Sequence, residues 1–352
     1  MIIYYIINIF EYNFLNHYTI YNKSIVSNLY YLENMNNFEI KSPQLFNPFR
    51  IFNEYGNYIK KQSYVPQNED ISITVNNTKY EKICFYIDNS WSFNYQCQFL
   101  ELFPMIILAK QIINNNNYNS KQIDFFLNYK FKDMYEELFE IFNIDKLINK
   151  IYFKNIPDDL NKYEFCYETI YNFGIIHLHR RCTYPLCKIF TEYLKYYFKH
   201  KSINNLHNNN SIGLLRNIDN FSNTSSDMRY ISNHNELVSF LQKNMFDIIY
   251  PDNMTLYERF CNLSYKKCII VETGSTIVNL YFLENLNNIK IIVLCNENMY
   301  NFHGIFEDQI RHYFSNVSII IGNMEDLNNE KSLGYVNYPY IINIKDIENI
   351  LQ

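Results

Sequence analysis

Glycine is scarce in this chain, with 7 residues among 352, and none of them falls into a G-x-G-x-x-G or P-loop pattern. Those motifs use glycine to bring backbone against phosphate, so their absence argues against an NAD-dependent dehydrogenase or a P-loop NTPase. No G-x-S-x-G occurs either, which removes the nucleophile elbow of the α/β-hydrolases. Long runs of lysine or arginine are missing, and the formal net charge is −5 with a pI of about 5.9. Nucleic acid and anionic membranes are therefore not expected partners. The eight cysteines (84, 97, 166, 182, 187, 261, 268, 295) include no C-x-x-C pair and form no regular framework. They read as reduced, mostly buried thiols of a cytoplasmic protein.

What the chain has in excess is tyrosine and phenylalanine, 34 and 28 residues against a single tryptophan. With abundant Asn and Ile they match the products of AT-rich codons, and a base-stacking role would need a basic groove as well. The hydrophobic share of 48% is that of a globular protein, and 352 residues suffice for two domains. Met1 to Phe10 is apolar for only about half of the ~20 residues a membrane span needs, and it has no basic flank or cleavage site. A first strand is expected there rather than a membrane span.

Alternation of short apolar runs with helical patterns predicts parallel sheets covered by helices. Residues 1 to about 80, including Ile71 to Val75, suggest strands and loops at an edge. Further strands are expected at Cys84–Ile87, 122–128 and Lys150–Lys154, with helices at Tyr95–Ile113, broken or kinked at Pro104, and at Tyr135–Phe142. A helix from Pro185 to His200 precedes the polar stretch Ser202 to Asn210, the best domain boundary, which gives domains 1–200 and 211–352. Beyond it, strands are expected at Ile212–Leu215, Phe246–Tyr250, Cys268–Val271, Lys290–Leu294 and Val317–Ile321, before a terminal strand-helix unit. Helices at Asn235–Lys243, Thr255–Leu263, Thr276–Leu283 and Phe306–Phe314 fall between them. This is a doubly wound pattern, whose ligands bind at the carboxyl ends of the strands.

Four groups of residues at such ends or beside them can carry chemistry. The strand Ile269-Ile270-Val271-Glu272 breaks into Thr273-Gly274-Ser275 at the start of a helix, with Asn279 one turn on, and that corner suits a phosphate-bearing ligand. Arg216 follows another strand end, where its fork can hold a pyrophosphate or carboxylate, and Arg229 follows a polar loop. The ordinary alternative makes Asn233 and Glu236 a capping box and the arginines surface ion pairs. His177-x-His179-Arg180-Arg181-Cys182 with Cys187 invites a zinc site, but the spacing fits no common finger and the neighbouring cations oppose a metal. A basic rim at the interdomain cleft, or a structural role, are its other readings. His303-Gly304 is a weaker candidate for touching a ligand.

The stretch from Arg216 through Arg229-Tyr230-Ile231-Ser232-Asn233, Glu236-Leu237, Phe246 to Pro251, Glu258-Arg259-Phe260, Ile270 to Ser275, Asn279 and Phe282 resembles glycosyltransferase family 61. That family includes capsular-polysaccharide-type, xylosyl- and N-acetylglucosaminyltransferases. The resemblance implies a GT-B fold, with two Rossmann-like domains facing across a cleft and the nucleotide-sugar donor held by the C-terminal one. It also implies inverting, metal-independent transfer to a hydroxyl of a glycan or glycoprotein, with no cofactor beyond the nucleotide-diphosphate sugar. Arg216, Arg229, Asn233, Thr273, Gly274, Ser275 and Asn279 would then bind the donor, Asn279 by fixing the loop or a ribose hydroxyl.

The segment Phe93 to Pro104 is similar to the family's N-terminal motif: Asn94, Glu101 and Pro104 match, while Cys97 occupies the histidine position. An inverting transfer needs a base for the acceptor proton, and a thiol is poorly suited to it. Glu101 is the candidate base here. An inactive sugar- or nucleotide-binding protein on the same fold is the alternative that Cys97 raises.

Overall fold

Short apolar runs bounded by polar turns become the strands of two separate sheets. The computed structural model describes residues 19–27, 50–52, 82–87, 94–154, 164–172, 180–201, 210–217, 230–284, 288–302, 314, 316–324 and 339–352. The expected strands at 1–10 and 71–75, the expected helix at 306–314 except for Phe314, and His177, His179, Arg229, His303 and Gly304 lie outside the described residues. Contacts divide the chain into two units, Met1–Leu194 and Lys195–Gln352.

The first unit holds β1 (Thr19–Ser27), β2 (Arg50–Phe52), β3 (Ile83–Tyr86), β4 (Ile123–Asn128), β5 (Lys150–Lys154) and β6 (Glu164–Asn172), in the order β2-β1-β6-β3-β4-β5. Strands β3 to β6 are mutually parallel, while β1 and β2 add an antiparallel edge. From β3 the chain steps outward to β4 and β5, then returns to the other side of β3 with β6. That reversal is the switch point of a Rossmann-like sheet. Strand β6 was not expected, because Glu164, Glu168 and Asn172 interrupt its apolar pattern. Its inward residues Tyr167, Ile170 and Tyr171 are nevertheless buried.

The abundant aromatics build this sheet. Phe85 stacks at 5.1 Å on both Phe125 and Tyr171, its register partners on either side. One residue on, Tyr86, Phe126 and Tyr152 repeat the ladder, with Phe126 and Tyr152 4.8 Å apart. Cross-strand ring pairs of this kind stabilise a sheet by roughly 0.5–1.5 kcal/mol each beyond their burial.

Helix α1 (Tyr95–Asn116) follows β3, α2 (Lys132–Ile141) follows β4, and α3 (Arg180–His200) follows β6. The break expected at Pro104 takes the form of a π-turn at Gln98–Leu102, closed by the Phe103 N–H on the Gln98 carbonyl at 2.7 Å. Widening the turn just ahead of a proline accommodates the ring and its missing donor. By length and apolar composition α1 would pass for a membrane span, but 78% of its most apolar window is buried inside the fold, as in a core helix. Helix α3 begins five residues before the expected Pro185, so proline sits inside its early turns rather than opening it. The division between the units falls within this helix.

The second unit contains β7 (Ser211–Leu214), β8 (Asp247–Ile249), β9 (Cys268–Glu272), β10 (Lys290–Asn296), β11 (Val317–Met324) and β12 (Tyr340–Ile341), ordered β12-β11-β10-β9-β7-β8. All neighbours are parallel except β12 against β11. Helices α4 (His234–Lys243) and α7 (Ile344–Leu351) pack Leu237, Leu241 and Ile347 into a cluster with Ile270, Ile292, Leu294 and Tyr340. A separate chain of ring contacts joins Phe198 of α3 to Phe260 of α5 (Leu256–Leu263), and Phe260 to Phe282. Helix α6 (Glu297–Phe302) was not expected.

Scarce glycine leaves a mark on the helix ends. Helices α1, α2 and α4 are each followed by a residue in the left-handed region, Asn117, Asn143 and Met245. Asparagine tolerates that region, but an unbranched apolar residue there is strained by roughly 1 kcal/mol. Met245→Gly is therefore expected to raise stability by about 1 kcal/mol in urea unfolding. Gly322→Ala should do the reverse, because its Cβ would lie 2.6 Å from the Tyr340 ring and 2.7 Å from the Ile341 carbonyl. A loss of about 1–3 kcal/mol is expected from such overpacking in the same measurement.

Candidate functional site

In the second sheet the chain runs from β7 outward to β8, then crosses back to the far side of β7 with β9. The switch point lies between β7 and β9, and ligands of open α/β sheets bind outside the carboxyl ends of such a pair. Two groups of sequence candidates meet there. Arg216 lies two residues beyond β7, and its backbone N–H donates to Glu272 Oε2 at 3.1 Å, across the ends of the two strands. Glu272 closes β9 and is 1% exposed. A buried carboxylate at this edge fixes where the chain carrying Arg216 leaves the sheet.

Immediately after Glu272, the Thr273 N–H reaches the Leu294 carbonyl at 2.8 Å and extends the ladder by one residue. Gly274 then takes φ 125° and ψ −154°, a region that only glycine occupies without strain. The chain turns sharply into Ser275–Phe282, which is a 3-10 helix rather than the α-helix expected at Thr276–Leu283. The β-branched run Thr276-Ile277-Val278 disfavours α-helix, and the Asn279 side chain donates to the Thr276 carbonyl at 2.7 Å, locking a tight turn. The opening amides of this helix stand at the switch point, where an anion is favoured.

The other expected donor residues have their side chains committed within the unit. Asn279 is fully buried, and its Oδ1 accepts from Arg259 Nη1 at 3.0 Å. Of the two roles expected of it, fixing the loop is the one its contacts describe. Asn233 heads α4 without capping it: its amide donates to the Ile342 carbonyl and accepts from the Ile342 N–H, at 2.9 and 3.0 Å, and also donates to Glu236. No capping box forms at α4. A side chain that mimics a strand partner instead clamps the C-terminal strand to the loop before α4. A capping box does form one helix later, between Thr255 and Glu258.

In the first unit, the N-terminal motif follows β3, again beside its sheet's switch point. Asn94 caps α1 by accepting the Gln96 N–H at 2.8 Å. Cys97 and Glu101 are 2% and 1% exposed, and Glu101 lies in the π-turn. Gln98 accepts a bond from Tyr135 at 2.6 Å. A π-turn carrying buried polar side chains is a common feature of functional helices.

Other buried polar groups serve structure. Asp124, near the amino end of β4 and thus at the opposite edge, accepts from Asn149 and Tyr167 and faces Lys82. Burial, with Asp124 adding to it, pushes the Cys84 thiol up, and the same two causes raise the Tyr152 phenol to about 12. Cys187, from the cluster considered for zinc, bonds to Thr191 and the Phe99 carbonyl, and burial pushes its thiol up to about 12. Among the described residues no group of three or more His, Cys, Asp or Glu could hold a metal ion.

A protein-family model described as Glycosyltransferase 61 matches residues 57–292, which is about two-thirds of the chain and includes both switch-point edges. The chain belongs to glycosyltransferase family 61. It is therefore a glycosyltransferase by family, as the motifs at Asn94–Pro104 and Arg216–Asn279 led one to expect. No curated protein matches it. Two residues that the sequence left unassigned stand out in this family setting, Glu272 and Arg259. The signal for Glu272 was a charged residue closing an otherwise apolar parallel strand. For Arg259 it was an arginine on the buried face of an amphipathic helix.

Gly274→Ala tests the corner directly. Placing a side chain at this φ and ψ costs roughly 1–3 kcal/mol and re-aims the amides that follow. Calorimetric titration with UDP and GDP is expected to show affinity reduced at least tenfold, with a lower Tm.

Proposed function

We propose that this glycosyltransferase binds a nucleotide-diphosphate sugar at the β7–β9 switch point and transfers the sugar, with inversion, to a hydroxyl of a glycan or glycoprotein. The observation that carries the reading is the meeting of Arg216, Glu272 and Thr273-Gly274-Ser275 at that edge. Under this reading the two units are the acceptor and donor halves of a GT-B enzyme. The guanidinium of Arg216, with Arg229, holds the diphosphate, and the opening amides of the 3-10 helix add neutral donors. These groups oppose the negative charge that grows on the departing nucleotide diphosphate, so no metal is required for the step. Glu101 takes the acceptor proton as the hydroxyl oxygen attacks the anomeric carbon and the bond to phosphate breaks. A cytoplasmic setting belongs to the same proposal.

A second reading, a family member that binds nucleotide without turnover, is favoured by Cys97: a buried thiol stands in the family's histidine position. A panel of UDP- and GDP-sugars separates the two. Transfer or hydrolysis of any donor establishes the enzyme, whereas binding of the nucleotides without turnover of any sugar leaves the binding module.

Arg216→Ala is expected to weaken UDP or GDP binding by roughly 10- to 100-fold, the scale of a charge-assisted pair. Lys243→Ala, an exposed control, should bind as wild type. Equal affinities would remove Arg216 from the site. Where turnover is found, Glu101→Gln should lower kcat by about 10²- to 10⁴-fold, the range for losing a general base, with nucleotide affinity unchanged.

A further inference from the structure

Arg259 is an arginine held almost entirely inside the second unit, 3% exposed, on the inner face of α5. Its guanidinium reaches three acceptors on two separate segments. Nε donates to the Met254 carbonyl at 3.0 Å, Nη2 to the Pro251 carbonyl, and Nη1 to Asn279 Oδ1 at 3.0 Å. Pro251 and Met254 belong to the loop that leaves the carboxyl end of β8. Asn279 lies in the 3-10 helix that leaves the carboxyl end of β9, and passes the connection on to Thr276 within the first turn. Strands β8 and β9 flank β7, so the guanidinium ties together the two loops on either side of the strand that delivers Arg216.

We infer that Arg259 is a positioning residue for the nucleotide-diphosphate site, acting through Asn279 on the first turn of the 3-10 helix. Three features make this more than packing. The guanidinium is planar and permanently charged, so its fork sets the distance and direction of three acceptors at once. The helix it holds is of 3-10 type and eight residues long, well beyond the roughly three or four that such weak bonding usually sustains, and Asn279 sits at its centre. The far end is fixed separately, by the buried Lys195, which donates to the Leu283 carbonyl at 2.8 Å. With Gly274 setting the start and Lys195 the end, Arg259 supplies the middle support that aims the opening amides.

The inference rests on the donor-site reading above, and one experiment separates their fates. Calorimetric titrations of wild type, Arg259→Met, Arg259→Lys, Asn279→Ala and the double variant Arg259→Met/Asn279→Ala with UDP and GDP are accompanied by near-UV circular dichroism and Tm. The expected result is a Kd raised at least tenfold in Arg259→Met with the folded spectrum retained, and partial recovery in Arg259→Lys. The double variant should be no weaker than the weaker single variant, because both changes cut the same connection. A role confined to stability would lower Tm and the binding stoichiometry but leave Kd at the wild-type value. That outcome overturns the inference and leaves the donor site standing. Should Arg259→Met not fold, Arg259→Lys and Asn279→Ala decide, and wild-type Kd in both overturns it. If wild type binds neither nucleotide, the donor-site reading falls and takes the inference with it.

Discussion

The hydrogen bond from the Arg216 backbone N–H to the Glu272 carboxylate joins two strands beyond the last rung of their ladder. Strands β7 and β9 diverge there because their chains leave on opposite sides of the switch point, and divergence opens the crevice in which such sheets hold ligands. A carboxylate spanning that gap keeps it at a fixed width. It also explains why a charged residue ends a strand whose other members are apolar. Buried carboxylates are costly unless bonded, so one placed at this edge is an investment in geometry rather than in stability.

From that bond outward, each support has a different physical origin. Gly274 contributes a backbone conformation that no other residue adopts cheaply. Asn279 and Arg259 contribute side-chain bonds that reinforce the weaker i→i+3 bonding of a 3-10 helix. Asn233 contributes a strand-like pairing that holds Ile342, and with it the terminal strand and helix, against the loop leading into α4. Asparagine carries much of this work in a chain with little glycine. The same residue type supplies two of the three left-handed helix ends.

Much of this was legible in the sequence, for reasons that differ by element. The parallel strands announced themselves as short apolar runs, and the family motif gave the order of the polar residues around them. Strand β6 was not legible, because Glu164, Glu168 and Asn172 break up an apolar pattern whose buried members are Tyr167, Ile170 and Tyr171. The helix after Gly274 was read as α because its length and apolar pattern fit that period. Its β-branched start, Thr276-Ile277-Val278, was the contrary signal. Asn233 was a candidate cap for α4, and its side chain makes no cap there. Its true partner, Ile342, lies 109 positions away, and no local pattern reports a contact of that separation.

The two switch-point edges differ in how much of their chemistry lies on the surface. At the second sheet the elements proposed to attract an anion are backbone amides and an arginine at the strand ends, and they need only be held still. At the first, Cys97 and Glu101 are buried in a wide helical turn. A base must meet the hydroxyl it deprotonates within hydrogen-bond reach, so Glu101, as the proposed base, has to become accessible before it can act. A π-turn ahead of a proline is a place where a helix can change its winding locally without unfolding. Binding of the donor and access to the base are thus separable demands on this chain. Under the proposed reading the first rests on contacts already formed around Glu272 and Gly274, while the second depends on how far the turn at Gln98–Leu102 can open.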